Sequence, residues 1–242
     1  MAMDRESLGI AGLDKILGGG IPKETLVLVT GSAGSGKSIL GMQYLAEGVK
    51  KKKKCLYVGF DSADGGIHAQ AAQFGWEFEK YEKSGLLKVL TFNMAEVHVI
   101  AVITELERLA RSFKPDRVVF DSISVISMYA EVMASAEVKQ AMGSVSKDSM
   151  REEVVIRGTI MGLLSRLRHL NATTLVISEL PEGGGGLSRD TYSEFICDGV
   201  IRLVRNEATG KRLATVSKMR LTDHDFIAHT FQIEDKKGIV FG

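Results

Sequence analysis

The feature that most constrains what this chain can fold into is the segment GSAGSGKS at residues 31–38. It fits the pattern G-x-x-x-x-G-K-[ST], in which glycines let consecutive backbone N–H groups point at one phosphate. An apolar run suited to a buried strand precedes the segment at residues 26–30, and apolar residues at helical spacing follow it. Because strand, glycine loop and helix follow in that order, the sequence predicts a nucleoside triphosphate site rather than a glycine-rich surface turn.

Each position of this loop has an expected task. Lys37 brings positive charge to the β- and γ-phosphates, and the hydroxyl of Ser38 is a ligand for Mg²⁺. The residues predicted to hold the nucleotide are Gly34, Ser35, Gly36, Lys37 and Ser38.

Composition bounds the class of protein. With 242 residues, 45% hydrophobic and 25% charged, the chain suits one α/β domain over 1–242, with a lead-in at 1–25. A net charge of +1 gives no general electrostatic reason to bind nucleic acid or membranes.

Cys55 and Cys197 are far apart and form no C-x-x-C pair, so we expect buried, reduced thiols. Without a signal-peptide pattern or a membrane-length apolar run, we expect a cytoplasmic protein.

The order of the apolar runs predicts the architecture. Strand-like runs at 26–30, 55–60, 86–90, 118–120 and 173–177 alternate with helical patterns at 67–74, 97–109 and 155–170. Four further runs, at 200–204, 213–217, 231–233 and 239–241, follow without helices between them. We therefore predict a three-layer α/β/α sandwich with a mainly parallel sheet, which the last four strands extend antiparallel. Its site lies at the carboxyl ends of the parallel strands.

Residues 130–152 allow two interpretations. Methionines and valines are spread there among small and charged residues. One interpretation is a mobile helix or loop that acts as a lid or partner surface, and the other is a surface excursion that caps the sheet.

Asp121 is the predicted metal-side carboxylate. It ends the apolar strand at 118–120, about 80–90 residues after the glycine loop, where such chains hold Mg²⁺ with the loop hydroxyl of Ser38.

Several segments together resemble a known family. They are GIAGLDKILGGGIP (9–22), the loop GSAGSGKS, AAQFGWEFEKYEKSGLLKVL (71–90), RVVFDSIS (117–124), TTLVISE (173–179), EFICDGVIRL (194–203) and VSKMRLTDHD (216–225). In this order, and over nearly the whole chain, they resemble the KaiC-domain proteins of the RecA-like P-loop ATPase superfamily.

The resemblance implies ATP with Mg²⁺ and assembly into rings, typically hexamers, with ATP between neighbouring subunits. Lys218 and Arg220 then match the family's cations that reach the γ-phosphate of the next subunit's ATP. Taken alone, they could be ordinary solvated charges on an edge strand. His224 and Asp235 match family positions near the adenosine of that neighbour.

Two departures from the family pattern bear on function. The family's strand after the P-loop helix commonly ends in Phe-Glu-Glu-Ser, whose first Glu is the general base, whereas here Asp61 and Ser62 take those places. Asp61 keeps one carboxylate, one methylene shorter, so we predict tight ATP binding with slow hydrolysis. The family includes a circadian clock protein, and the half of it that phosphorylates itself carries adjacent Ser and Thr. This chain has Glu194 and Phe195 at those places, so we do not expect a circadian oscillator.

Three functions compete at this point. The first is a ring-forming ATPase of slow turnover in regulation or signalling. The second is a nucleotide-gated binding protein, with an unidentified protein partner, that hydrolyses little ATP. The third is a RadA-paralogue-like factor in recombinational repair that contacts DNA through the glycine loop at 183–186 and Arg189. The acidic Glu182 and the absence of interleaved aromatic residues there disfavour DNA.

Overall fold

Strands and helices alternate along most of the chain, and strands alone form its last part. The structure, a computed structural model, describes residues 4–60, 66–93, 99–142, 149–181 and 186–241, with the side chains of 133–142 and 149–152 left out. The strands are β1 Arg5–Glu6, β2 Ile21–Pro22, β3 Leu26–Gly31, β4 Cys55–Gly59, β5 Leu87–Thr91, β6 Arg117–Asp121, β7 Thr173–Glu179, β8 Gly199–Asn206, β9 Lys211–Met219, β10 His229–Glu234 and β11 Gly238–Phe241. The helices are α1 Ala11–Ile16, α2 Lys37–Lys50, α3 Gly66–Gln73, α4 Phe78–Lys83, α5 Val99–Ser112, α6 Ile123–Met142, α7 Ser149–Arg168 and α8 Ser193–Ile196.

A nine-stranded sheet forms the middle of the molecule, in the order β11-β10-β9-β8-β3-β7-β6-β4-β5. The six strands from β8 to β5 in this order are parallel, and β9, β10 and β11 are antiparallel to their neighbours. The strand before the glycine loop, β3, lies inside the sheet between β7 and β8. The predicted α/β fold with a mainly parallel sheet and an antiparallel extension is therefore confirmed.

One detail of that prediction is wrong. The strand predicted at 200–204 was expected to begin the antiparallel extension, but β8 runs parallel to β3, with Val27 opposite Gly199 and Gly31 opposite Leu203. The connection from β7 crosses back to the other edge of the sheet before β8 begins, as a parallel pair requires. In the described part of this connection the only helix is α8, whose four residues are too few to show a helical period in the sequence.

Alternating residues of the strands bury the two faces of the sheet. In β3, Val27 and Val29 belong to the apolar cluster under α2, whereas Leu26 and Leu28 belong to the cluster under α5, α6 and α7. All four side chains are at most 1% exposed. Because successive strand residues point to opposite faces, a continuous apolar run is the pattern of a strand covered on both sides. The three-layer arrangement follows from this.

Two long helices cover most of the segment that allowed two interpretations. Residues 130–152 fall mostly within α6 and α7, two neighbouring 20-residue helices, while 143–148 lie outside the described residues. The proposed mobility and lid role of this segment stay predictions. Helix α4 was missed because its six residues, FEKYEK, carry four charges and bury only Phe78.

The lead-in at 1–25 packs against the rest of the domain. The predicted short helix is present as α1, and β1 pairs with β2 in a separate two-stranded sheet. The amide of Gln43, in α2, donates to the carbonyl of Gly9 at 2.9 Å and to that of Ile239 at 3.3 Å, and its oxygen accepts from the Ile239 N–H at 2.7 Å. One side chain thus joins the lead-in, the P-loop helix and the last strand.

Two further sequence predictions can be compared with the described residues. Cys55 and Cys197 are both buried and free, as expected, and burial raises the pKa of each thiol to about 12. Among the helices described, none has the length and apolar content needed to cross a bilayer.

Candidate nucleotide site

The glycine loop joins β3 to α2 at the carboxyl edge of the parallel strands. Gly36 is the residue before α2 and has φ of 104°, and Gly34 has φ of 70°, in the region that favours glycine. An added Cβ at Gly31 would lie 2.1 Å from the carbonyl oxygen of Leu203 in β8. The loop therefore needs these glycines for its own path, and it leaves the N-terminus of a 14-residue helix facing the site.

Lys37 is a buried cation that the described residues leave without a salt bridge. It is 5% exposed, and within the described part of the chain its ammonium donates one hydrogen bond, to the Ser32 carbonyl at 2.8 Å. Burial lowers the pKa of Lys37, and the negative charges of Glu179 and Asp121 oppose that shift. The hydroxyl oxygen of Ser35, fully buried in the same loop, has no hydrogen-bond partner among the described residues. A buried charge and an orphaned polar atom fit a site built for phosphate.

Asp121 ends β6 beside the loop. Its carboxylate accepts hydrogen bonds from the hydroxyls of Ser38 and Tyr57, the latter at 3.0 Å. Burial raises the pKa of Asp121, against the effect of these two hydrogen bonds and of Lys37. Tyr57, the third residue of β4, escaped the sequence analysis because a tyrosine within an apolar strand looks like ordinary core.

The Ser38 and Asp121 oxygens fit the magnesium ion that a P-loop site implies. Among the described residues no group of three or more His, Cys, Asp or Glu could hold a metal alone. Mg²⁺ is usually held by one or two protein oxygens together with phosphate oxygens and water, so two oxygen donors are enough here. When bound, the ion neutralises charge on the phosphates. Ser38 and Asp121 would hold it, and Tyr57 orients the carboxylate.

A further carboxylate, Glu179, reaches the same edge of the sheet. It is the last residue of β7, opposite Gly31 in β3, and it is exposed. Its backbone N–H donates to the Ser124 hydroxyl oxygen at 2.7 Å. No role for this residue was predicted from the sequence. A polar residue directly after a buried parallel strand is the signal that could have found it.

A pocket of about 430 Å³ opens beside the start of the loop, which is within the usual size of ligand sites. Its lining comes from the loop, the end of β7 and the end of β8: Gly31, Ser32, Ala33, Leu180, Pro181, Arg202, Leu203, Val204, Arg205 and Glu207.

Asp61, the predicted general base, lies outside the described residues. The chain enters that segment from β4, whose Gly59 is opposite Asp121, and the Phe60 N–H donates to the Asp121 carbonyl at 3.2 Å. The role of Asp61 stays a prediction.

Lys218 and Arg220 lie toward the other edge of the sheet. Lys218 is opposite Val200 at the start of β8, whereas the glycine loop adjoins Leu203 further along that strand. The Lys218 ammonium donates to three carbonyl oxygens at the end of α8: those of Glu194 at 2.9 Å and Phe195 at 3.4 Å within the helix, and that of Cys197 at 2.6 Å just after it. Burial lowers the pKa of Lys218, and the charge of Arg220 adds to this effect. Within one subunit these cations therefore face away from the glycine loop.

Asp198 binds two cations at that edge. One of its oxygens accepts from Arg168 Nη1 at 2.8 Å and from the Leu26 N–H at 3.1 Å, and the other accepts from Arg220 Nη1 at 3.3 Å. The Arg220 side chain remains 57% exposed, so it is oriented and still open to a neighbouring molecule.

His224 and Asp235 flank β10 in the chain. His224 lies in the loop before β10, with one ring nitrogen 3.1 Å from the Thr222 carbonyl and the other buried without a partner among the described residues. Asp235 is exposed in the turn between β10 and β11, at the opposite end of β10. The six residues of β10, a strand of about 20 Å, separate the two along the chain.

The loop considered for DNA is only partly described, because residues 182–185 lie outside the described ranges. Arg189, after it, is exposed, and its backbone N–H donates to the Ser178 hydroxyl at 3.3 Å.

Comparison with known proteins agrees with this geometry. The family model described as "ATPase: KaiC" matches residues 7–150 and 141–242. A UPF0273 protein of Aeropyrum pernix is 31% identical over 251 residues, which cover 99% of this chain and 94% of that protein. The circadian clock protein KaiC3 of Synechocystis is 29% identical, with 98% of this chain matching 45% of that protein.

A solved structure is also similar. The KaiC-like protein of Pyrococcus horikoshii superimposes with a TM-score of 0.81 at 30% identity, over the whole of both chains. The family match extends over nearly the whole sequence and includes the glycine loop, Asp121 and the antiparallel strands. This chain therefore belongs to the KaiC family of ATPases.

Proposed function

We propose that this protein is a slow ATPase that works as a ring, typically of six subunits, with each ATP held between two neighbours. One subunit supplies Lys37, Ser38 and Asp121, and the next supplies Lys218 and Arg220. The ring acts in regulation or signalling, in the cytoplasm.

The observation that carries this proposal is the separation of the two cation sets within one chain. Lys37 faces the site at the carboxyl edge of the parallel strands, while Lys218 and Arg220 point away from it. Cations that serve phosphoryl transfer must reach the phosphate on which charge develops. Side chains held at the far edge can do so only for the nucleotide of another subunit.

The proposal assigns each residue a task. Lys37 and the N–H groups of the loop, including those of Gly34, Ser35 and Gly36, bind the phosphates of ATP. Asp121 and Ser38 hold Mg²⁺, and Asp61 is a general base for the attacking water. His224 and Asp235 contact the adenosine of a neighbour's nucleotide, from two different ends of β10.

Slow turnover follows from the acids after β4. The family pattern has two adjacent glutamates there, and this chain has Asp61 and Ser62. A base displaced by about 1 Å can reduce the rate on the order of 10²-fold. Asp61→Ala is expected to slow turnover further, and a turnover rate unaffected by it would contradict the role of Asp61.

Light scattering with and without Mg-ATP, together with phosphate release, tests the assembly and the activity. A larger particle with ATP and slow phosphate release are expected, and Lys37→Ala is expected to lose both. Turnover of the wild type equal to that of Lys37→Ala would favour the alternative function, a nucleotide-gated binding protein that recruits an unidentified protein partner.

Mixing two inactive variants tests the shared site. Lys37→Ala lacks the loop cation and Arg220→Ala lacks the neighbour's cation, so each alone is expected to be inactive. In a random mixture of equal amounts about one interface in four combines an intact loop with an intact arginine, so roughly a quarter of the activity returns. Arg111→Ala, an exposed arginine of α5 that also lies near a carboxylate, is the matched control and keeps full activity. A mixture with no activity would contradict the shared site.

DNA binding remains the third function. It predicts binding of single-stranded DNA that weakens with salt and is lost in Arg189→Ala. Binding that Arg189→Ala leaves unchanged would exclude the loop at 183–186 and Arg189 as the DNA contact.

A further inference from the structure

The position of Glu179 points to a function for its side chain. The residue ends β7, which lies between β3 and β6, so it comes out of the sheet between the glycine loop and Asp121. Register places Glu179 opposite Gly31, and Ile177, two residues earlier, opposite Asp121. The Glu179 carboxylate therefore stands at the edge where Lys37 and Asp121 meet.

The backbone around Glu179 is held on both sides. Its own N–H donates to the Ser124 hydroxyl oxygen at 2.7 Å, and the N–H of Leu180 donates to the Gly31 carbonyl at 2.9 Å. Ser124 is 3% exposed. Because these two hydrogen bonds fix the end of the strand, a side chain attached there is positioned more precisely than one on a free loop.

The Glu179 carboxylate is exposed and makes no hydrogen bond or ion pair with the described residues. Its negative charge raises the pKa of both Lys37 and Asp121, against the effect of burial on Lys37 and in the same direction as burial on Asp121. A free carboxylate at the mouth of a triphosphate site repels the ligand that the site binds. Such a group weakens ground-state binding, and it contributes to the reaction only if it acts on the transition state.

We propose that Glu179 is a second catalytic carboxylate of this site and holds the water that attacks ATP. This inference rests on the proposed ATPase function. A new bond forms between the water oxygen and the γ-phosphorus, the bond from the γ-phosphorus to the β–γ bridging oxygen breaks, and ADP leaves with those electrons. The proton of the water passes to the Glu179 carboxylate and then to solvent, so that ATP and water give ADP, phosphate and a proton.

A catalytic role for Glu179 would supply the second carboxylate that this chain lacks after β4. Asp61 alone is shorter than the family's glutamate, and Ser62 carries no charge. Glu179 is as long as the family's catalytic glutamate. It comes from β7, which lies on the other side of β6 and Asp121 from β4. The Glu179 carboxylate can then hold the attacking water from the β7 side of Asp121.

The test separates binding from chemistry in Glu179→Gln. Binding of a fluorescent N-methylanthraniloyl ATP with Mg²⁺ is measured apart from phosphate release at saturating ATP. We expect affinity equal to or tighter than that of the wild type, because a repelling charge is removed, and a kcat lower by about 10²–10⁴-fold. Glu179→Asp keeps the charge but withdraws it by one methylene, and its kcat is expected to fall on the order of 10²-fold.

Glu24→Gln is the matched control, since Glu24 is an exposed glutamate two residues before the adjacent strand β3 begins, away from the glycine loop. It is expected to match the wild type in both measurements. A wild-type kcat in Glu179→Gln, or a loss of affinity with kcat unchanged, would overturn the role of Glu179 and leave the ATPase proposal standing. A wild type without turnover would contradict both proposals.

Discussion

A buried ion pair joins the lead-in to the sheet, and breaking it should destabilise the protein strongly. Arg117, the first residue of β6, is fully buried, and its Nη2 lies 2.5 Å from Oε2 of Glu6 in β1. Its other terminal nitrogen donates to the Tyr44 carbonyl of α2 at 2.8 Å, and the guanidinium stacks 4.5 Å from the Tyr44 ring centre. We consider the substitution Glu6→Ala.

The size of the effect follows from burial. The side chain of Glu6 is 8% exposed, so its removal leaves the Arg117 cation without a counter-charge and without access to water. Removing one partner of a buried pair costs about 3–5 kcal/mol. For a chain of this length each kcal/mol lowers Tm by about 2–4 °C, so the expected drop is roughly 6–20 °C.

Urea unfolding of the nucleotide-free protein measures the change, from the shift of the midpoint at constant m. Asp4→Asn is the matched control, because the nearby pair Asp4–Lys23 is exposed, with side chains 79% and 39% accessible. Exposed pairs are worth about 0–1 kcal/mol. The double variant Glu6→Leu, Arg117→Met removes both charges and should be more stable than Glu6→Ala alone.

The reasoning would be refuted by a Glu6→Ala variant that loses less than about 1 kcal/mol, no more than the Asp4→Asn control. It would also be refuted if the double variant were less stable than Glu6→Ala, since the loss would then come from missing contacts and not from an unpaired charge.

Three further predictions concern the site and its supports. Gly31→Ala places a Cβ against the Leu203 carbonyl, so overpacking should cost about 1–3 kcal/mol in urea unfolding and abolish binding of fluorescent ATP; unchanged binding would contradict the tight fit. For Asp121, burial raises the folded pKa above 3.8, so ionisation destabilises the fold as pH rises through that pKa. Asp121→Asn should therefore have a higher Tm than the wild type at pH 7 and not below about pH 4, with hydrolysis lost; a constant Tm difference would refute this. Gln43→Leu leaves the buried N–H of Ile239 unpaired and should cost about 1–3 kcal/mol, measured by thermal unfolding, whereas no loss would show that the amide bridge is dispensable.

The parts of the fold that the sequence predicted correctly are those with local signals. The run at 26–30 is apolar at every position but Thr30, which is typical of a strand buried on both faces, and β3 is such a strand. The glycine pattern predicted the loop, and the end of an apolar run predicted Asp121 beside it. Each of these features depends on neighbouring residues along the chain.

Other features depend on residues that are distant in sequence and could not be predicted. An arginine such as Arg117 is expected at the surface, and its burial depends on Glu6, which comes from a separate small sheet. The direction of β8 depends on the path of the chain after β7, where a helix of four residues has no detectable period. Tyr57 reaches Asp121 only because β4 and β6 are neighbours.

The sequence by itself predicted a P-loop nucleotide site in a mainly parallel α/β fold, because the spacing of glycines and apolar residues is a local property. Only the tertiary structure decided which charges face that site. Strand order and register bring Glu179 beside the loop from a position about 140 residues away. The same order turns Lys218 and Arg220 to the other edge, because β9 is antiparallel to β8 and ends where β8 begins.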